Sequence, residues 1–118
     1  MTDQPYLYHI TTESEWETAQ CEGEYFPQSF AEEQFIHCSY SHQIVTVANR
    51  FYQGQNGLVL LKIRSSTISS SLVEENLEGG TELYPHLYSS LPINSVVQAV
   101  AFPCNPNGTF TLPQELNI

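Results

Sequence analysis

Leu58-Val59-Leu60-Leu61-Lys62-Ile63-Arg64 is the stretch of this 118-residue chain that most strongly predicts a β-strand. Its first four residues are apolar, and a continuous apolar run of this kind is typical of a strand that is buried on both faces. Its last residues carry charge, which predicts that the strand emerges at the surface there. The stretch therefore predicts a central strand in the sheet of the domain.

Two helices are predicted ahead of this strand. Thr12 followed three residues later by Glu15 matches a capping box, so a helix is expected to begin there and to end at Gly23. A second helix is expected from 43 to about 53, because four apolar residues recur there at the spacing of one helix face. These residues are Ile44, Val47, Ala48 and Phe51.

Further segments are predicted as strands, and together with the helices they indicate an α+β domain. These segments are 6–10, 34–38, 71–75, 81–84 and 96–102. The sequence Asn105-Pro106-Asn107-Gly108 predicts a turn, and residues 109–112 are expected to form a hairpin with the last strand. The length fits a single domain over residues 1–118, with its core at about 6–112.

The charged residues are strongly unbalanced, with 13 acidic against 3 basic residues and a net charge of −10. The three cations lie in one window, at Arg50, Lys62 and Arg64. Duplex nucleic acid and anionic membranes are held by many cations, so neither is expected as a partner. A small anionic ligand stays open, because backbone N–H groups can bind phosphate without Lys or Arg.

A cytoplasmic location is expected from three features of the sequence. No apolar run approaches the roughly 20 residues of a membrane helix. The first residues, MTDQPYLYHI, lack the basic region and the apolar core of a signal peptide. Cys21, Cys38 and Cys104 are odd in number and form no CxxC pair, which disfavours a disulfide scaffold and a cysteine zinc site.

Three histidines beside predicted strands are the main candidates for chemistry, namely His9, His37 and His86, whereas His42 in the second helix is interpreted as incidental. Each of the three, taken alone, is typical of a satisfied structural residue at a sheet edge. Together they suit acid–base chemistry, and three imidazoles suffice for a zinc ion. The one close pair, His37 and His42, is five residues apart and does not fit a helical metal site, so no metal ligands are predicted.

Tyrosines and glutamates surround these histidines. The tyrosines are Tyr8, Tyr84 and Tyr88, and the glutamates are Glu74, Glu75 and Glu82. The tyrosines fit either packing or a wall that stacks on a flat ligand ring. The glutamates fit either a solvated surface or a group that acts as an acid or base or binds a ribose hydroxyl. Cys38 directly follows His37, so on a strand their side chains point to opposite faces and form no nucleophile–base pair.

A set of motifs along the chain carries a family resemblance. The set comprises Tyr8-His9-Ile10-Thr11, residues 29–39, residues 47–52, residues 60–63 and Tyr84-Pro85-His86-Leu87-Tyr88. It resembles the bacterial and plant family known as domain of unknown function 952, from Tyr6 to about Phe102. The chain departs from the family pattern at Glu33-Gln34 (usually Glu-Gly), at Arg64-Ser65 (usually Asp-Pro) and at Ser89 (usually Gly), and a serine makes a positive φ harder there.

More distantly, the family resembles the ADP-ribosyltransferase superfamily, and this resemblance implies a split sheet that grips NAD. It implies that His9 lies on the strand that contacts a ribose hydroxyl. His37 is implied on the second strand, where an aromatic residue stacks on nicotinamide. His86 is implied near the position of the catalytic glutamate, with Glu82 close by.

The resemblance therefore implies an ADP-ribosyltransferase-like protein with two main helices and a split, mixed or antiparallel sheet. It is expected to bind NAD or a related nucleotide as substrate in a cleft lined by three histidines. The catalytic candidates are His9, His37 and His86, and the ligand-binding candidates are Tyr8, Ile10, Thr11, Ser39, Arg50, Glu82 and Tyr88. The alternative is a non-catalytic module that binds a small ligand or a protein on the same fold. A phosphate-bearing ligand is expected to bind more tightly as the pH falls through the histidine range near 6.5.

Overall fold

The computed structural model describes residues 5–27, 30–76 and 82–116, which form eight strands and three α-helices with short 3₁₀ turns between them. The strands are β1 (Tyr6–Thr12), β2 (Glu24–Tyr25), β3 (Ile36–His37), β4 (Leu58–Arg64), β5 (Leu72–Glu75), β6 (Tyr84–Leu87), β7 (Leu91–Pro92) and β8 (Val96–Ala101). The helices are α1 (Glu13–Glu22), α2 (Phe30–Glu33) and α3 (Ile44–Phe51). The α+β class is confirmed.

The strand β4 lies at the centre of the main sheet, as its sequence predicts. It pairs in antiparallel fashion with β1 on one side and with β8 on the other. Its apolar residues are buried on both faces, since Leu61 and Ile63 belong to one core cluster and Leu58 and Leu60 to another. Arg64 at its end is exposed. The central strand therefore separates two cores, and burial on both faces explains its continuous apolar run.

Two smaller antiparallel sheets complete the fold. One consists of β2 and β7, and the other has the strand order β3-β6-β5. The backbones of Tyr8 and Ser39 exchange hydrogen bonds of 2.8 and 2.7 Å, which tie β1 to the end of the segment that contains β3. All the pairings between described strands are antiparallel, so the mixed alternative does not apply to them.

The first predicted helix is confirmed at both ends. The Thr12 side chain accepts a hydrogen bond from the backbone N–H of Glu15 at 3.2 Å, and this satisfies one of the free N–H groups of the first turn. Gly23 ends the helix in the left-handed conformation, with φ of 85°, and its N–H donates to the carbonyl of Ala19.

The second predicted helix corresponds to α3, and its apolar stripe is only partly buried. Ile44 and Ala48 are fully buried, but Phe51 at the end of the stripe is 54% exposed. Phe51 borders the cleft described below rather than the core. The helical spacing therefore located the helix correctly, and the stripe runs from the core at Ile44 to the exposed side chain of Phe51.

The predicted hairpin at the end of the chain is wrong. Residues 109–112 form no strand, although the preceding turn is present, closed by hydrogen bonds between Asn105 and Thr109. The backbone N–H of Phe110 donates instead to the side-chain oxygen of Asn49 at 2.7 Å, and its buried ring packs on Phe102. Burial of this ring beside α3 therefore replaces the expected pairing with β8.

Two other predictions are shifted or fall outside the described residues. The strand expected at 81–84 begins at Tyr84 as β6, and Thr81 lies outside the part of the chain that the structure describes. Ser29 of the family pattern also lies outside it. Among the described residues, none of the helices has the length and apolar character that crossing a membrane requires.

Gln34 is the residue at which the departure from the family pattern affects the backbone. Its φ is 66°, in the left-handed region that favours glycine, and the family usually has glycine there. Its N–H donates to the carbonyl of Phe30 at 2.7 Å and so ends α2. Ser89 does not have a positive φ, so the substitution expected to be difficult there is tolerated.

Candidate functional site

Strand pairing brings several candidate side chains to one face of the β3-β6-β5 sheet. His37 on β3 lies opposite His86 on β6, so the two share a face. Glu75 on β5 pairs with Tyr84, two residues from His86, and therefore lies diagonal to His86 on that same face. Tyr88 follows His86 by two residues and points the same way. The register of three strands thus assembles a cluster of residues that are distant in the sequence.

Glu75 holds the ring of His86 in one orientation. Its Oε1 atom lies 2.8 Å from His86 Nδ1 and accepts a 2.6 Å hydrogen bond from the Tyr88 hydroxyl. These hydrogen bonds, that from Tyr88 first and that from His86 second, lower the pKa of Glu75. Because a carboxylate can only accept, Nδ1 of His86 carries a hydrogen and, in the neutral ring, Nε2 is left with its lone pair.

Aromatic rings fix His86 from its other sides. The Phe35 ring stacks on it with centroids 4.3 Å apart and planes inclined by 21°. The His37 ring meets it edge-on at 5.2 Å. His86 is only 3% exposed, whereas His37 is an exposed residue whose Nε2 lies 2.9 Å from the Glu33 carboxylate. The two paired histidines therefore have different surroundings.

His9 on β1 joins the main sheet to this cluster. Its Nδ1 lies 2.5 Å from the backbone carbonyl of His37, and its Nε2 lies 2.8 Å from the Tyr25 hydroxyl. Burial lowers the pKa of His9 from 6.5 to about 4, so its ring is neutral at pH 7. Nδ1 must donate to the carbonyl, so Nε2 of the neutral ring accepts from Tyr25. The Thr11 hydroxyl lies 2.9 Å from the Tyr25 oxygen and extends this chain of hydrogen bonds.

The three histidines line one cleft of about 560 Å³. This volume is within the range of about 300–1,000 Å³ that small-molecule sites occupy. Aromatic side chains form much of its wall, namely Tyr25, Phe51, Tyr52 and Tyr84. Glu15 and Glu33 also line it, and no Lys or Arg does so in the described part of the chain. The cleft therefore combines flat apolar surfaces with histidines and negative charge.

The predicted ligand-binding residues fall into two groups. Ile10, Thr11 and Ser39 line the cleft. Tyr8, Arg50, Glu82 and Tyr88 are not among its lining residues. For the second group, a direct contact with a ligand in this cleft is therefore not supported. The position of each of these four residues has a different structural explanation.

Neighbouring side chains on a strand point to opposite faces, so Tyr8 points away from the side chain of His9. It is 4% exposed and packs in the core cluster that contains Leu58 and Leu60. Glu82 lies within 3.2 Å of His42 Nε2 and accepts from Gln43 at 3.1 Å, so it holds the start of the second helix rather than His86. The Tyr88 hydroxyl donates a hydrogen bond to Glu75, which in turn contacts His86, so Tyr88 affects the site indirectly.

The guanidinium of Arg50 lies 5.1 Å from the ring centre of Phe51. Phe51 lines the cleft, whereas Arg50 is exposed and is not among the lining residues. Lys62 and Arg64 instead approach the Tyr6 ring. A fixed positive charge therefore lies next to one wall residue of the cleft.

Sequence reasoning did not include Tyr25 and Phe35 in the site, and it named Glu75 only as one of three glutamates near His86. Tyr25 reaches His9 from a two-residue strand, Phe35 stacks on His86, and Glu75 rather than Glu82 is the carboxylate that contacts His86. The spacing of Phe35 and His37, two residues apart on a strand, was the one available signal that they share a face. Tyr25 and Glu75 depend on strand pairings that no local pattern indicates.

Neither a metal centre nor a reactive thiol is supported by the described residues. No group of three metal-ligating side chains is found among them. Cys38 also lines the cleft, but burial raises the pKa of its thiol to about 12, so the nucleophilic thiolate is not formed near neutral pH.

Comparison with known proteins gives a family and a shared fold. The family model described as Protein of unknown function (DUF952) matches residues 10–99. The crystal structure of protein CC0527 from Caulobacter crescentus is 27% identical, with a TM-score of 0.86 over 96% of this chain and 99% of that chain. The solution NMR structure of CC0527 is also 27% identical, with a TM-score of 0.82 over 97% and 98%. No curated protein matches the chain.

Proposed function

Since this chain belongs to the DUF952 family of proteins of unknown function, we propose from its cleft that it is an ADP-ribosyltransferase-like protein that binds the nicotinamide–ribose end of NAD or a related nucleoside. The observation that carries the proposal is that His9, His37 and His86, from three strands in two sheets, line one cleft. This is the arrangement that the resemblance implies for a split sheet that grips NAD, and the resemblance to that superfamily is part of the proposal.

The composition of the cleft favours a flat ring as the bound group. Tyr52, Tyr84 and Phe51 supply aromatic surface in its wall, and aromatic rings stack on heterocycles. Ile10 and Thr11 line the same cleft, and their backbone groups are proposed to hold the carboxamide. The proposed contacts require no cation.

The charges of the cleft favour a ring that is neutral or positive. Glu15 and Glu33 line it, and the pKa of His9 at about 4 keeps that ring uncharged near pH 6.5. His9 therefore does not supply the positive charge that was expected to strengthen binding of a phosphate in this range. A nicotinamide ring carries positive charge in NAD, which the carboxylates favour, and the phosphates are proposed to extend past the rim toward Arg50.

Ligand titration by NMR tests the proposal. NAD and nicotinamide riboside are added to millimolar concentration while the ring signals of the four histidines are followed. The signals of His37 and His86 should move, and those of exposed His42, which lies outside the cleft, should not. His37→Ala should weaken binding more than His42→Ala does. If neither ligand moves any of the three cleft histidines, the proposed function is wrong.

The non-catalytic alternative has its own supporting observation. The resemblance implies that His86 stands near the position of the superfamily's catalytic glutamate, and the carboxylate that contacts it, Glu75, comes from the neighbouring strand. A module that only binds should retain its ligand in a His86→Ala variant and show no turnover of NAD. Binding without turnover in the native protein favours this alternative.

A further inference from the structure

The hydrogen-bonded pair of Glu75 and His86 is an arrangement that can transfer a proton in the cleft. We infer that His86 is a catalytic base, positioned by Glu75, that takes a proton from water as the water attacks the N-ribosyl carbon of a bound pyridinium nucleoside. The inference rests on the proposed function and adds an activity, hydrolysis of the N-ribosyl bond. Nicotinamide riboside and NAD belong to this substrate class.

The hydrogen bond to Glu75 leaves the second ring nitrogen of His86 as a proton acceptor in a residue that lines the cleft. His86 Nδ1 lies 2.8 Å from Glu75 Oε1 and donates to it. The hydrogen bond to Glu75 is the one side-chain hydrogen bond that His86 makes to the described residues, it uses Nδ1, and His86 lines the cleft. A carboxylate that orients an imidazole and stabilises its protonated form is the arrangement by which histidine acts as a general base.

Packing keeps this arrangement in place. Phe35 stacks on one face of the His86 ring at 4.3 Å, and the His37 ring closes another side at 5.2 Å. Tyr88 donates to the same Glu75 oxygen at 2.6 Å, which fixes the carboxylate. Neighbours that hold both members of the pair reduce the rearrangement required before proton transfer.

His42 and Glu82 form a second histidine–glutamate pair, which differs from the Glu75–His86 pair in its exposure to solvent. Their side chains are 64% and 48% exposed, and Nε2 of His42 lies 3.2 Å from the Glu82 carboxylate. In the pair at the cleft, the corresponding exposures are 3% for His86 and 23% for Glu75. The exposed pair is solvated and lies outside the cleft, so it provides a matched control.

The chemical step balances without an oxidant or a metal. A new C–O bond forms between water and the anomeric carbon, and the water proton passes to His86 Nε2. The N-ribosyl bond breaks, and its electron pair stays on the pyridinium nitrogen, which becomes neutral nicotinamide. The imidazolium then releases its proton to solvent. Glu15 and Glu33 line the cleft and favour the positive charge that develops on the ribose.

The test measures hydrolysis of NAD and nicotinamide riboside by the full chain and by four variants. His86→Gln should reduce the turnover rate by about 100-fold or more, the usual size of a general-base contribution. Glu75→Gln should reduce it about tenfold or more, with the ligand dissociation constant unchanged within about threefold, because Glu75 acts through His86. His42→Gln and Glu82→Gln should leave the rate unchanged.

The wild-type protein provides a measurement that does not depend on how the variants fold. Nitrogen-15 spectra of the imidazoles should show neutral His86 with hydrogen on Nδ1 and none on Nε2, and Glu75→Gln should reduce this preference. The opposite tautomer in the wild type overturns the inference.

The turnover results separate the inference from the proposed function. Binding of NAD without hydrolysis, or hydrolysis that His86→Gln does not slow, overturns the inference and leaves the binding proposal standing. Absence of binding overturns the proposed function together with the assigned substrate. Hydrolysis that only the two cleft variants slow supports both.

Discussion

The buried imidazole of His9 should make the protein less stable as the pH falls below neutral. Burial lowers the pKa of His9 from 6.5 to about 4 in the folded state. Between these values the unfolded chain binds a proton that the folded protein does not, so stability falls with pH in this range. The contribution is fully present above about pH 6.5 and is lost as the pH drops toward 4.

The size of this effect follows from the two pKa values of His9, 6.5 and about 4. Their difference corresponds to about 3 kcal/mol of unfolding free energy in total. About 2 kcal/mol of it is lost between pH 7 and pH 5, where His9 of the unfolded chain becomes protonated while the folded ring stays neutral. Ordinary carboxyl groups titrate mainly below this range, so they confuse the measurement little.

Urea unfolding at pH 7, 6 and 5 measures the effect in the wild type, His9→Asn and His42→Asn. Asparagine retains a side-chain N–H for the His37 carbonyl but does not titrate. The wild type and His42→Asn should each lose about 2 kcal/mol more than His9→Asn between pH 7 and pH 5. Equal losses in all three proteins would refute the argument that His9 is buried as a neutral ring.

Three further predictions concern stability. Gln34→Gly should stabilise the fold by about 1 kcal/mol in urea unfolding, since φ is 66° there, while Ser89→Gly, at a residue without a positive φ, should give no gain. Tyr25→Phe should cost about 1–3 kcal/mol, because His9 Nε2 and Thr11 lose their shared hydroxyl; a melting temperature equal to that of the wild type would contradict this. Leu61→Ala should cost about 2–5 kcal/mol at the centre of β4, where Leu61 is fully buried, and a loss below 1 kcal/mol would show that the site collapses around the missing atoms.

Elements with a strong local signal could be predicted from the sequence. β4 is a continuous apolar run, and α1 has a capping residue, Thr12, at one end and Gly23 at the other. The prediction of a hairpin at 109–112 also relied on a local turn pattern, and it was wrong. The conformation there is set by a distant contact, because Phe110 is held by Asn49, 61 residues earlier in the chain. Short strands such as β3 depend on their partners, so their ends could not be placed from local patterns.

The site could be predicted in its residue types more than in its contacts. The distant resemblance, and no pattern in the residues themselves, implied that the three histidines share a cleft, and in the structure His9, His37 and His86 line one cleft. Which glutamate contacts His86 depends on the register between β5 and β6. A shift of one residue in that register would turn Glu75 to the other face of the sheet. No pattern within either strand fixes it.

Hydrogen bonding separates three histidines that look alike in the sequence. Both ring nitrogens of His9 have hydrogen-bond partners, Nδ1 of His86 is bound to Glu75 and His86 lines the cleft, and His37 is exposed beside Glu33. Loss of His9 should therefore lower stability first, whereas loss of His86 should lower turnover first. The backbone carbonyl of His37 accepts the hydrogen bond from His9, and the side chain of His37 lines the cleft. His37 therefore couples the contact between β1 and β3 to the position of its own ring. Changes at His9 should consequently reach the cleft through the backbone of β3, while exposed His42 offers no such route.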